Sequence, residues 1–307
     1  MSESVKLVLG PHPFALSAEK LRDFYLRIAD EAPVDTVHLG QIVCYRRDDL
    51  SDADRARVLE RLDHAGKEAV VSMPLMVITR DERDEMARRI AESDRMIEIN
   101  DLTAIAHVRE GAFMVGPSIN IYNEAALAVF AGRGAVRAAL PPELPRDQVA
   151  AIAGQASIPV EVAAFGPVQL AVSSRCHTAR AKGRSRDNCG LACMDAPEGL
   201  ALDTLDGAPF LTINGPQTLS RECLSLLDSW DDLVAAGVRR VRLGPLCGDM
   251  VAVANIFCEV AAGRLEPSAG QDHLKNIMPE QRFINGFWHG VPGRDYIERG
   301  LPTQKRA

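Results

Sequence analysis

Short apolar runs alternate along the chain with longer stretches in which apolar side chains recur at helical spacing. "KLVLG" (Lys6–Gly10) is the first run. After it, Leu21, Phe24, Tyr25 and Ile28 fall at i, i+3, i+4 and i+7, which predicts a helix opening at Ser17. "TVHLG" (Thr36–Gly40) precedes a second helix, opening at Ser51, with Val58, Leu59, Leu62 and Ala65 on one face. Further strands are predicted at Glu68–Met76, Met96–Asn100, Ala112–Gly116, Ala135–Leu140, Pro159–Gly166, Phe210–Gly215 and Val238–Gly244.

Strands separated mostly by helices specify an α/β chain with a largely parallel sheet. Their number suits a closed (β/α)-barrel of the TIM-barrel type better than an open doubly wound sheet. A G-x-G-x-x-G is also missing after the first strand, which weakens a nucleotide-binding reading. With no internal repeat and no low-complexity linker, residues 1–307 read as a single barrel-like domain. Its polar C-terminal tail, 298–307, is expected to fray.

One segment breaks the alternation. "SSRCHTARAKGRSRDNCGLACMDAPEG", residues 173–199, is too polar for a core and too long for an ordinary connection. It holds three of the chain's seven cysteines, spaced C-x12-C-x3-C. In a parallel barrel the loops at the C-terminal ends of the strands open on one face. The 173–199 loop leaves the Pro159–Gly166 strand, and Cys44, in "HLGQIVCYRR", leaves the Thr36–Gly40 strand on the same side. Cys44, Cys176, Cys189 and Cys193 then form an all-cysteine, four-ligand site. One close pair with two distant ligands is compatible with zinc and with an iron–sulfur cluster, whose sulfides spread the attachment points apart. Cys258, in "VAVANIFCEVAAG", reads as core; Cys223, in "SRECLSLL", as helical and structural. Cys247, in "PLCGDM", reaches the same rim without an assigned ligand role.

Composition narrows the function classes. A content of 47% hydrophobic and 25% charged residues is ordinary for a globular chain, and a net charge of −7 provides no field for direct DNA binding. The start has no basic region followed by an apolar stretch, and no apolar run approaches the roughly 18 residues of a transmembrane segment. A cytoplasmic location is expected, where thiols stay reduced and an odd number of cysteines reads as ligands rather than a disulfide frame. Neither H-E-x-x-H nor G-x-S-x-G occurs, and His177, though adjacent to Cys176, belongs to no triad, so peptidase chemistry is the least favoured reading.

Other side chains are candidates around the site. Arg175, Arg180, Lys182, Arg184 and Arg186 crowd the loop; cations beside a thiol favour the thiolate, and Arg175 adjoins Cys176. Asn120 and Asn123 in "SINIYN" and Asn214 in "TING" stand where an amide can bind a substrate carbonyl or satisfy its own turn. Glu161 alternates with Val160 and Val162, so it is expected to point into the barrel, where it needs a partner such as an arginine.

The segments around these cysteines, "HLGQIVCYRR", "SSRCHTAR" and "DNCGLAC", together with "SINIYN", "LTING" and "INGFW", make the chain similar to the UbiV branch of the collagenase-like peptidase family U-32. The likeness runs from near residue 35 to near residue 290. It implies a 4Fe–4S cluster bound by Cys44, Cys176, Cys189 and Cys193, and a heterodimer with a UbiU-type paralogue. It further implies oxygen-independent hydroxylation of an aromatic ubiquinone precursor, with prephenate as oxygen donor and a sterol-carrier-type lipid-binding accessory protein. Relatives that hydroxylate RNA bases, and a purely electron-transferring or scaffolding role, are the alternatives. A cluster with four cysteine ligands has no open iron site and acts by electron transfer or by organising the fold. His177 stands where that family has a large aromatic.

Overall fold

The computed structural model describes residues 4–47 and 50–298. Strands β1 (Lys6–Leu9), β2 (Thr36–Leu39), β3 (Glu68–Ser72), β4 (Met96–Ile99), β5 (Phe113–Val115), β6 (Ala135–Ala139) and β7 (Val160–Val172) each pair in parallel with the next. The ring closes through a later strand, introduced below, that lies between β7 and β1. The helices between them start where the sequence offers caps. Ser17 accepts from the Lys20 amide at α1 (Ala18–Glu31), and Ser51 from Asp54 at α2 (Asp52–His64). Thr79 and Glu82 form a reciprocal capping box at α3 (Arg80–Glu92). With α4 (Glu124–Gly132) and α5 (Arg146–Gln155), these helices lay apolar faces such as Leu21, Tyr25 and Ile28, or Val58 and Leu62, on the barrel.

Between β7 and the closing strand the chain leaves the barrel pattern. β7 is 13 residues long and bends at Gly166, whose φ is +111°. A Cβ there would sit 2.5 Å from the Gly244 carbonyl, so only glycine allows the two strands this close. Beyond the bend, β7 projects above the barrel. After the short α6 (His177–Ala181), the chain returns as an antiparallel extension of β8 (Leu200–Asp203), β9 (Pro209–Asn214) and β10 (Gln217–Ser225), with β10 on β7. The strand expected at Phe210–Gly215 therefore belongs to this extension and not to the parallel series. Cys223, expected on a helix, lies buried on β10, where pairing with β7 decides the local conformation. After α7 (Trp230–Ala235), β11 (Arg240–Leu243) closes the eight-stranded ring, followed by α8 (Met250–Ala261), α9 (Pro267–Ile277) and β12 (Phe283–Ile284) on β10. Cys258 lies on α8, partly buried against the core.

One large apolar core runs from Leu7 to Trp288. Most of the expected tail, 299–307, lies outside the described residues. Among those described, no helix is long and apolar enough to cross a membrane.

The barrel interior carries charge. Arg242 on β11 donates through Nε to Glu161 and through Nη2 to Glu98 Oε1 at 2.5 Å. Glu98 Oε2 also accepts from the Ser72 hydroxyl at 2.5 Å and lies 3.3 Å from His38 Nδ1. At the opposite end, Arg137 and Arg240 hold Glu68, which accepts from Thr36 as well. Glu161 thus has the arginine partner that its position requires. Burial opposes ionisation of Glu98 and Glu161, but Arg242 overrides it and holds both carboxyls below the usual range.

Candidate functional site

Four cysteines from two distant stretches of chain line one small cavity. Cys44 sits in the loop after β2, closed by the Arg47 amide donating to the Cys44 carbonyl at 3.0 Å. Cys176 caps α6, its sulfur accepting from the Ala179 amide at 3.4 Å. Cys189 and Cys193 are brought together by a tight turn in which Leu191 adopts φ +52° and the Ala192 amide donates to the Cys189 carbonyl. None of the four is in a disulfide. Among the described residues, no three His, Cys, Asp or Glu side chains converge closely enough to hold one metal ion.

The cations at this cavity are Arg46, Arg47 and Arg186. Burial pushes the Cys44 thiol up from its ordinary pKa, while Arg47 and Arg186 act in the opposite sense. Arg186 is tied to Glu82, the capping residue of α3, which pins the cysteine loop to the neighbouring βα unit. Arg47 is buried: Nη1 donates to the Pro13 carbonyl at 2.8 Å and Nη2 to Asn214 Oδ1 at 2.6 Å. Arg175 is exposed and, with Cys176, Arg180, Arg184 and Arg186, borders an open depression beside the cavity. Cys247 is exposed and lines a separate cavity with Arg221 and Glu222.

A second cavity, of about 500 Å³, opens at the C-terminal ends of the barrel strands. Glu98, Asn100 and Arg242 line it at depth; Ile42, Leu75, Phe165, Leu219 and several prolines supply apolar walls. Asn120, held at φ +61°, and Tyr122, which donates to Glu143, stand on its exposed edge. The charged lining is Arg242, Glu98 and Glu143, and Arg242 is already held by two carboxylates. Such a mouth receives a neutral, largely apolar ligand better than an anion.

A hydrogen-bonded chain connects the two cavities. Asn214 Nδ2 donates to Gln217 Oε1 at 3.1 Å, Gln217 to Gln169 at 2.7 Å, and Gln169 to the Ser118 hydroxyl at 3.1 Å. Gln217, Gln169 and Ser118 line the barrel mouth, so a chain of amides links it to Arg47 at the thiol cavity. Asn214 therefore serves Arg47 and its own turn. Asn123 likewise caps α4, accepting from the Ala126 amide at 2.8 Å.

A sequence model described as peptidase family U32 matches residues 17–287. The chain belongs to peptidase family U32. Among solved structures, the U32 peptidase Mk0906 matches at TM-score 0.42 and 11% identity, over 80% of this chain and 94% of its own. A truncated 3-deoxy-D-arabino-heptulosonate 7-phosphate synthase from Thermotoga maritima matches at TM-score 0.45 and 11% identity, over 92% and 90%. A tryptophan synthase complex chain from Pyrococcus furiosus matches at 0.42 and 12%, over 91% and 100%. Likenesses this distant say nothing of what the U32 chain does.

Sequence reasoning picked out the four thiols of this U32 chain and missed the buried cation beside them. Arg46 and Arg47 stand two and three positions after Cys44 in "CYRR", and that short spacing was the available signal. It also left unremarked His38, Glu98, Arg137, Arg240 and Arg242, whose polar character inside otherwise apolar strands marks an interior that is not purely packed.

Proposed function

We propose that this U32 chain is a 4Fe–4S-binding subunit that acts with a UbiU-type paralogue in oxygen-independent aromatic ring hydroxylation, in anaerobic ubiquinone biosynthesis. The observation that carries the reading is the shared cavity of Cys44, Cys176, Cys189 and Cys193. The donor set fits the cluster. Four unbridged thiols are the ligands it takes, and its sulfides hold them further apart than one zinc ion, which draws each sulfur to about 2.3 Å. Four thiols bordering one space also suit zinc, and iron and sulfide analysis decides between the two.

When bound, such a cluster supplies one-electron transfer. The chain's own residues do the rest. Arg46, Arg47 and Arg186 offset the negative charge of four thiolates. Arg47 and Asn214 lock the Cys44 loop against the β9–β10 turn. The barrel mouth holds the ubiquinone precursor, a neutral ring, while prephenate, a dicarboxylate, would meet Glu98 and Glu143 there and is assigned to the partner. A lipid-binding protein of sterol-carrier type would deliver so apolar a substrate.

RNA base hydroxylation is the second reading, favoured by the exposed Arg175, Arg180 and Arg184 around the open depression. Anoxic co-purification decides between the readings. Iron and sulfide are counted per chain, the bound partner is identified, and quinone and modified RNA bases are measured in a deletion strain grown without oxygen. Iron with a UbiU-type partner and lost quinone supports the first reading. A colourless zinc protein, or intact quinone with a lost base modification, defeats it.

A further inference from the structure

Arg47 lines the four-thiol cavity yet is only 4% exposed. Its two terminal nitrogens are engaged, one with the Pro13 carbonyl and one with Asn214 Oδ1. Its Nε is buried and has no hydrogen-bond partner. A buried donor on a charged group, left without an acceptor, forfeits its hydration with nothing in return. The surroundings nonetheless hold the guanidinium in place. Gly215 turns with φ +67°, and a Cβ at that position would come 2.8 Å from Arg47 Nη2, so the β9–β10 turn makes room for this side chain. The other two cations of the cavity differ: Arg186 is engaged with Glu82, and Arg46 is solvent-exposed, 3.5 Å from Asp187. Arg47 thus brings a buried N–H that lacks an acceptor to a cavity lined by four cysteines.

We propose that the Arg47 Nε–H is donated to a sulfur atom of the cluster held by Cys44, Cys176, Cys189 and Cys193, and that this bond raises the cluster's reduction potential. The inference rests on the reading that the four thiols hold such a cluster. A reduced cluster carries one more negative charge than an oxidised one, so a charge-assisted donor stabilises the reduced state more. Asn214 is the positioning residue: by taking Nη2 it fixes the plane of the guanidinium and hence the direction of Nε–H.

The test uses the full chain, reconstituted anoxically with iron and sulfide. Wild type, Arg47→Gln, Arg47→Lys and Asn214→Ala are compared for iron content, midpoint potential and exchangeable-proton hyperfine coupling in the reduced state. Arg47→Gln is expected to load iron as wild type does and to weaken reduction about tenfold, about 59 mV more negative for one electron. The strongest exchangeable-proton coupling should disappear with it. Arg47→Lys keeps the charge without the oriented N–H and should recover less than half of the loss. Asn214→Ala should shift the potential the same way by less. Full iron with an unchanged potential and coupling in both Arg47 variants overturns the inference alone. Loss of iron from both variants also overturns it, making Arg47 a structural residue of the Cys44 loop. Wild type that binds no iron–sulfur cluster overturns instead the reading beneath it.

Discussion

The Arg47 guanidinium donates to the side-chain oxygen of Asn214 at 2.6 Å, joining residues 167 positions apart in the chain. One lies in the loop that carries Cys44, the other at the end of β9, where the chain turns back from the segment that carries Cys176, Cys189 and Cys193. The contact is one of those that hold two sequence-distant groups of thiols together, with Arg186 on Glu82 another. Asn214→Ala is expected to lower stability by about 1–3 kcal/mol, because it leaves a buried guanidinium N–H unpaired. Urea unfolding followed by circular dichroism measures the loss; a change within error would mean that the loop is held by other contacts.

The four thiols should behave as a set. Alanine at Cys44, Cys176, Cys189 or Cys193 is expected to abolish the brown colour after anoxic preparation. Cys247→Ala should leave iron content unchanged, since Cys247 lines a different cavity. Iron and sulfide analysis of the five variants checks this, and a variant at one of the four that retains full iron removes that residue from the ligand set.

The interior ion network is a point of fragility. Arg242→Leu removes the cation shared by Glu98 and Glu161, both fully buried, and leaves Glu161 only the longer contact with Arg240 at 3.7 Å. A loss of about 3–5 kcal/mol is expected, the usual result of breaking a buried pair from one side. The combined replacement of Arg242, Glu98 and Glu161 by apolar residues should recover much of it. Chemical denaturation of the single and triple variants gives the comparison.

Stability should fall on mild acidification because of His12. Burial lowers its pKa from 6.5 to about 4, so the folded chain keeps the ring neutral while the unfolded chain binds a proton. Its contribution is fully present above pH 6.5 and is lost as pH falls from 6.5 to about 4, amounting to about 3 kcal/mol. His12→Gln is expected to be less stable at pH 7, having lost the edge contact with Phe24, but to show a shallower slope across that window. Denaturation midpoints between pH 4 and 7 test the difference; parallel curves would contradict it.

The barrel mouth should discriminate by charge. 4-Propylphenol is expected to bind at least tenfold more tightly than 4-propylbenzoate, because Arg242, the lining cation among the described residues, is neutralised by two carboxylates. Ala163→Phe, which fills the half-buried interior face of β7, should abolish binding of both. Calorimetry on the full chain reads this out. Preference for the benzoate would place the anionic reactant here instead.

The alternation of strand and helix was legible because it is written locally. Ser17, Ser51 and the Thr79–Glu82 box each cap a helix, and the apolar periods change from two to 3.6 within a few residues. Glu161 was legible too, since a carboxylate between two valines of an inner strand has to find a cation. The antiparallel extension was not. "FLTING" and "TLSRECLS" look like ordinary strand and helix material in isolation, and their pairing depends on β7 running on past Gly166.

What the amino-acid order determined unaided was the strand–helix succession and the barrel it builds, since caps, periodicity and spacing act between near neighbours. Which cation lies buried against the four thiols was decided only on folding. Arg47, and not Arg175, is buried at the cavity because closure of the ring sets the β2 loop against the β9–β10 turn, and a contact across 167 residues has no local trace. The same holds inside the barrel, where Arg242 meets Glu98 and Glu161 only once β11 has joined β7 to β1.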